Sequence, residues 1–294
     1  MLIDTHCHLD APEFDTDRAV LIQQSLQAGV DRIVIPAVAR FNFETVRNVA
    51  HAWPGGAYAL GIHPLYVHRS EDADLIVLRQ AIMQAMDDPR FVAIGEIGLD
   101  FFVADIAVGA ARARQEHFLK AQLKMAAEFG LPVLLHVRRS QDSVLKYLRQ
   151  TTGLRGGIAH AFNGSEQQAR AFIEQGCALG IGGAMTFERA LRIRRHAAQI
   201  DLAHLVLETD APDIPPAWLG RDQAGAVTAG LQRNTPAELA GIAQALAALR
   251  QVPVETIRVA TTAAACRVLP RLAGAVTQSV SQERVISDQH GALC

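Results

Sequence analysis

Short apolar runs alternate with longer stretches in which hydrophobic residues recur at helical spacing, from one end of the chain to the other. That alternation is expected of repeated βα units, whose consecutive strands lie parallel in one sheet. Eight runs read as strands: Met1–His6, Arg32–Pro36, Tyr58–Ile62, Val92–Glu96, Pro132–His136, Gly157–His160, Ala178–Gly182 and Leu205–Thr209. The intervening segments are of helix length. Arg18–Ala28, Arg112–Phe129 and Ser165–Gln175 are followed by Gly29, Gly130 and Gly176, where a left-handed C-terminal cap belongs. Two further helices, Ala237–Leu249 and Val254–Leu269, end the pattern, with Pro253 placed where its missing donor costs little. The predicted fold is α/β, a single-domain (β/α)8 TIM-type barrel over residues 1–272. Apolar periodicity stops after Arg271, so 273–294 read as a C-terminal extension, a surface segment or a frayed end.

Composition adds limits rather than a function. The chain has 294 residues, half of them hydrophobic, a size at which such a barrel forms one domain without a linker. A mean hydropathy of +0.13 raises the question of a membrane. No run approaches the roughly 18 uninterrupted apolar residues of a spanning helix, so a soluble protein is expected. The start MLIDTHCHLD interrupts any apolar leader with Asp4 and His6, and four cysteines (Cys7, Cys177, Cys266, Cys294) form no CxxC pair. Both features predict a cytoplasmic protein. A net charge of -2 excludes a protein that coats nucleic acid by bulk electrostatics, so any such contact must be local. Only three of the 28 basic residues are lysine, which reads as compositional bias.

The candidate chemistry sits at the C-terminal ends of the predicted strands, where a barrel of this type builds its site. His6 and His8, two apart on a strand, point the same way into the barrel, and Cys7 points toward the helices. Glu96 follows an apolar run, so it is expected to be buried and to need a cationic partner, which a metal would supply. His136, His160 and Asp210 end the fifth, sixth and eighth strands. Six nitrogen and oxygen donors with no thiolate suit zinc, manganese or magnesium rather than copper or iron–sulfur chemistry.

The motifs HxH, GEIGLD, H-x-R, HAFNGS and ETDAP, in this order, resemble the TatD family of metal-dependent hydrolases among the amidohydrolase-like barrels. GIHP at Gly61–Pro64, Arg114–Gln115 and RNTPAEL at Arg233–Leu239 fit the same pattern, and the resemblance spans roughly Leu2 to Leu272. It implies two divalent ions per chain (Mg, Mn or Zn). His6, His8, Glu96 and Asp210 would hold one, Glu96, His136 and His160 the other, with Glu96 as the bridge. Related barrels often bridge with a carboxylated lysine, but Lys120, Lys124 and Lys146 all fall in predicted helices. Three places depart from the family: Asp100-Phe101-Phe102 for GLDY, Ala161 and Asn163 within HCFTG, and Ala263-Ala264 where TTxN is common. The last change is expected to affect helix packing.

Residues beside the donors have two readings each. His63 is a ligand to a third ion or a donor to a phosphate oxygen, against a loop histidine fixed by Pro64. Glu208, two before Asp210, points inward and orients a ligand histidine or a water from outside the donor set. Arg138 and Arg139 reach the mouth, where one guanidinium can grip a phosphate. Arg189, Arg192, Arg194, Arg195 and His196 form a basic patch or a solvated helix face, with Arg221 and Arg233 as further phosphate contacts. Trp218 is a packing residue or a cover for a base. His51, His68, His117, His196, His204 and His290 are by default expected to be surface or packing residues.

The expected function is a metal-dependent phosphodiester hydrolase, a deoxyribonuclease trimming single-stranded DNA ends, with Asp210 as base beside the bridging Glu96. A monomer is the expected state. The alternatives are a small-molecule amidohydrolase or phosphoesterase on the same barrel, and a non-enzymatic metal-binding protein, which would need a donor missing.

Overall fold

The computed structural model describes residues 1–220 and 232–272, so Arg221, His290, Cys294 and the predicted extension 273–294 lie outside the described residues. Eight strands follow one another in a parallel sheet ordered β1 to β8. They are β1 (Leu2–Asp4), β2 (Val30–Pro36), β3 (Gly56–Leu60), β4 (Phe91–Asp100), β5 (Val133–Arg138), β6 (Gly157–Ala159), β7 (Cys177–Ile181) and β8 (Leu205–Leu207). The first and last are joined by Thr5 N to Leu207 O (3.1 Å), Asp210 N to His6 O (2.8 Å) and His8 N to Ala211 O (2.8 Å). These bonds bring the edges together into a nearly closed barrel.

The helices are α1 (Arg18–Gln27), α2 (Phe43–His51), α3 (Asp72–Ala85), α4 (Gly109–Phe129), α5 (Gln141–Gln150), α6 (Glu166–Glu174), α7 (Leu191–Gln199), α8 (Leu239–Arg250) and α9 (Val254–Val268). α5 shows why they stay outside: Val144, Leu145, Tyr147 and Leu148 form one buried stripe and the rest of its surface is polar. α4 starts three residues earlier than predicted and stops at Gly130, whose φ of +64° suits a residue without a Cβ. Among the described residues no helix is long and apolar enough to cross a membrane.

Two apolar clusters result. Leu2, Cys7, Ile33, Tyr58 and Phe91 belong to the larger one between sheet and helices. Ile3, Val34, Ala57, Ala59, Val92 and Ile158 belong to the smaller one, together with Ala264, Ala265, Val268, Leu269 and Leu272 from α9 and its end. α9 therefore closes the N-terminal end of the barrel, and Arg271 ties it there by bonding Phe91 O, Met86 O and Asp88 O. Ala264 is in this seal and Ala263 is exposed, so the departure from TTxN falls on packing, at the end opposite the predicted site.

The predicted strand ends need correction where carboxylates intervene. β1 stops at Asp4 and β8 at Leu207, so His6, His8 and Asp210 lie on the following loops. The cause is Asp4: its carboxylate accepts from His6 N (3.2 Å), Thr209 N (3.0 Å) and Thr209 Oγ1 (2.5 Å), offering the backbone side-chain bonds in place of a ladder. β4 instead runs four residues past Glu96, to Asp100.

Candidate metal centre

The loops at the C-terminal end surround a cavity of about 1090 Å³. Five described non-glycine residues have left-handed backbones, and four of them, Arg139, Ala161, Asp210 and Ile214, line this cavity. Such conformations cost on the order of 1–3 kcal/mol each and gather where function demands them. Asp210, at φ +55°, is held there by its own N–H on His6 O, while Asn234 donates from Nδ2 to Thr209 O (2.9 Å) and Asp213 O (2.8 Å). The RNTPAEL segment thus braces the loop that carries Asp210.

Glu96, only 1% exposed, is the hub, and its two oxygens face different partners. Oε2 lies 3.1 Å from His6 Nε2 and 3.5 Å from His8 Nε2, and both rings are 3.6 Å from Asp210 Oδ1. Oε1 lies 3.0 Å from His136 Nδ1 and 3.4 Å from both His63 Nε2 and His160 Nε2. Three overlapping triads have donor atoms close enough to share an ion: His6–His8–Glu96, His6–His160–Asp210 and His63–Glu96–His136. Asp100 sets the unusual orientation of His136, because its Oδ2 lies 3.0 Å from His136 Nε2 and so leaves Nδ1 toward Glu96. Gln115 fixes Asp100 in turn, accepting from its N–H at 2.8 Å and donating to its carbonyl at 3.1 Å.

The charge state identifies what this arrangement lacks. Among the described residues no lysine or arginine pairs with Glu96, Asp210 or Glu208. Imidazoles answer Glu96 and Asp210, and Glu208 meets His160 and the backbone N–H of Ala161. Burial opposes charging, yet the hydrogen bond to Glu96 and the field of Asp210 carry His8 up to about 9. Asp210, Glu96 and Glu208 likewise carry His160, against burial, up to about 10. Burial and the neighbouring His160 push His6 down to about 3, so it is neutral and has a lone pair to give. Glu96 is held well below the usual carboxylate range, since His63, His6 and His160 outweigh its burial. Burial lifts Asp210 to about 6. Protonated histidines here stand in for cations, and divalent ions fit a set of buried imidazoles and carboxylates.

The other nitrogen of His63 makes a local contact. Nδ1 accepts from Leu65 N at 3.1 Å, so the neutral ring, pushed down to about 4 by burial, carries its proton on Nε2. That atom lies 3.4 Å from Glu96 Oε1, and His63 is one of the three residues of the His63–Glu96–His136 triad. Glu208, 1% exposed, accepts from Ala161 N on Oε1, which is 3.4 Å from His160 Nδ1, while Oε2 has no partner. Arg138 and Arg139 both reach the cavity, their guanidinium carbons 3.7 and 4.6 Å from the Phe102 ring centroid.

Other predicted contacts are not brought together. Of the Arg189–Arg195 patch only Arg192 lines the cavity; Arg194 donates to Met185 O (3.1 Å), and His196 is buried against Gly164 O (2.8 Å). Arg233 pairs with Asp17 and stacks over Phe14, so it braces the fold instead of waiting for phosphate. Trp218 packs on the core and donates to Glu238 (2.6 Å). Asp4, Asp100 and Asn234 went unassigned in the sequence; their motifs were visible, but which backbone groups they bond was not.

A parallel (β/α)8 barrel whose C-terminal mouth gathers five histidines around a shared carboxylate is the architecture of a metal-dependent hydrolase. The TatD-related DNase family profile matches residues 3–270. The chain belongs to that family. It is 39% identical to the uncharacterized metal-dependent hydrolase YjjV of Escherichia coli K12, over 87% of this chain and 92% of that one. It is 30% identical to a 3'-5' ssDNA/RNA exonuclease TatD of Pantoea, over 87% and 94%. The crystal structure of the E. coli YjjV protein superposes with a TM-score of 0.82 at 36% identity, covering 92% of this chain and 98% of that one.

Proposed function

We propose that this hydrolase cleaves phosphodiester bonds, trimming single-stranded DNA from an end with two divalent ions (Mg, Mn or Zn) at the C-terminal mouth. The observation that carries the reading is Glu96, which turns one oxygen to each of two groups of donors. His6, His8, Glu96 and Asp210 would hold one ion and Glu96, His136 and His160 the other. When bound, such ions lower the pKa of water and neutralise charge on the phosphate. Asp210, opening on the cavity, takes the proton of the attacking water. His63 Nε2–H and Arg138, with Arg139 beside it, donate to phosphate oxygens. Glu208 turns His160 so that Nε2 faces Glu96.

Arg138, Arg139 and Arg192 line the same cavity as the donors, which favours a substrate with more than one phosphate. The Pantoea relative's name points to the same substrate class. The free thiols Cys7, Cys177 and Cys266 suit a reducing cytoplasm. The test is to strip the protein of metal, restore it by titration, and resolve by length the products of an end-labelled single-stranded oligonucleotide at several salt concentrations. Activity returning at about two ions per chain, stepwise shortening and weakening with salt are expected. Inert oligonucleotides beside a hydrolysed amide, lactone or phosphomonoester would transfer the protein to small-molecule chemistry.

A further inference from the structure

Two large apolar rings stand exposed on the wall of the same cavity, and their surroundings differ. Phe102 is 46% exposed, but the guanidinium of Arg138 lies over it, with Arg139 close by. Its face is in use, and it holds two cations at the mouth. Phe41 is 69% exposed and its ring contact is Tyr66, whose centroid is 5.6 Å away at a tilt of 52°. Tyr66 in turn meets His63 edge-on at 6.3 Å, and His63 Nε2 is 3.4 Å from Glu96. Three successive contacts therefore lead from the donor cluster outward to an open aromatic face. Singly exposed apolar residues are common and need no explanation. Phe41 differs in lining the cavity, together with Tyr66, on a path that begins at the reacting centre.

We infer that Phe41 and Tyr66 form a stacking subsite for the nucleobase of a nucleotide at the scissile phosphate, opposite in character to the Arg138–Phe102–Arg139 side, which takes the phosphates. This rests on the phosphodiesterase reading and adds to it which part of the substrate is gripped away from phosphorus. Every base has a π-face, so the subsite accepts all four bases, with deoxyribose or ribose alike. A flat base covers the Phe41 ring at little entropic cost, because the loop is anchored: Asn42 Oδ1 accepts from Val38 N (3.1 Å) and Ala39 N (3.2 Å), and its Nδ2 donates to Asp10 (2.9 Å).

The test compares metal-loaded wild type with Phe41→Ala, Phe41→Trp and Val259→Ala, the last a similarly exposed apolar residue on α9. Substrates are single-stranded DNA and RNA oligonucleotides carrying either normal bases or an abasic residue at one end or the other. For wild type, an abasic residue at the cleaved end should lower kcat/KM about tenfold, on the scale of one stacked base. Phe41→Ala should lose about as much on the normal substrate, mainly in KM, and its discrimination between normal and abasic ends should collapse toward one. Phe41→Trp should keep the discrimination and Val259→Ala should match wild type. A 2-aminopurine base at the cleaved end should be quenched on binding to wild type and less so on binding to Phe41→Ala. Equal preference for normal and abasic ends in wild type, or a Phe41→Ala loss identical on both, overturns the subsite and leaves the nuclease reading standing. Failure of wild type to cut any oligonucleotide overturns the nuclease reading itself.

Discussion

At the N-terminal end of the barrel, Asp88 accepts hydrogen bonds from Tyr58 Oη (2.9 Å), His51 Nε2 (2.8 Å) and Arg90 N (3.0 Å), and its carbonyl accepts from Arg271, just past α9 (2.8 Å). At the C-terminal end, Glu96 and Asp210 meet only imidazoles, and Glu208 keeps an oxygen without a partner. Each end carries carboxylates, a half-buried Asp88 at one and the buried Glu96 and Glu208 at the other, yet Asp88 is fully partnered within the protein and the Glu96 cluster is not. An unpaired buried polar group costs roughly 1–3 kcal/mol, more if charged, so the contrast marks where a fold tolerates cost for chemistry. The backbone repeats it, since left-handed non-glycine residues line the C-terminal mouth while the other end is sealed by α9.

The sharpest way to break this contrast is to neutralise the hub. Glu96→Gln should lower turnover by on the order of 10³ or more, the scale of losing several kcal/mol of charge stabilisation, and bound metal should fall below two ions per chain. Cys7→Ser, whose sulfur lies in the outer cluster against Ala211 O (3.7 Å), should stay close to wild type. Equal activity of the two variants by steady-state assay and elemental analysis would end the hub assignment. Asp210→Asn keeps one ligand oxygen and removes the base, so it should remain folded, retain at least one ion and lose on the order of 10² in turnover. Normal turnover by Asp210→Asn with both ions bound, beside an inactive Glu208→Gln, would move the base to Glu208. A smaller effect is expected at Glu208 itself. Glu208→Gln should weaken metal binding about 10- to 100-fold by releasing His160, with turnover recovering at high metal; a loss that excess metal leaves untouched would show that Glu208 does more than position the ring.

The clustering of these six residues was legible in the sequence because burial and chemistry conflict there: a histidine or acid closing an apolar run has no bland explanation when six of them share one end of a barrel. Parity along the chain was enough to separate His6 and His8 from Cys7, even though all three lie beyond β1. What stayed hidden depends on partners far away in the chain. Asp4 shortens β1 by bonding residues 205 positions on, Asp100 turns His136 over from a neighbouring strand, and Leu65 N decides the tautomer of His63. The arginines misled for the same reason. Arg194 and Arg233 look like a phosphate grip in one dimension, but each is already engaged, by Met185 O and by Asp17.

The smallest expected effect tests the satisfied end. Asp88 has its carboxyl held below its ordinary value of 3.8: partial burial works the other way, but His51, Arg90 N and Tyr58 together outweigh it. A depressed folded-state pKa means the ionised form is favoured by folding, so its contribution is complete above 3.8 and is lost as pH falls through the lower folded value. Asp88→Asn should therefore cost about 1.5–3 kcal/mol at pH 7, the scale of a hydrogen bond to a charged group, with kcat per folded molecule preserved. Measured by denaturant unfolding, the gap between variant and wild type should narrow as pH drops below 3.8, because protonation removes from the wild type what the substitution removed already. A gap that stays constant down to pH 3 would assign the loss to shape or packing instead of charge. A drop in kcat would deny that the two ends of the barrel are energetically separate.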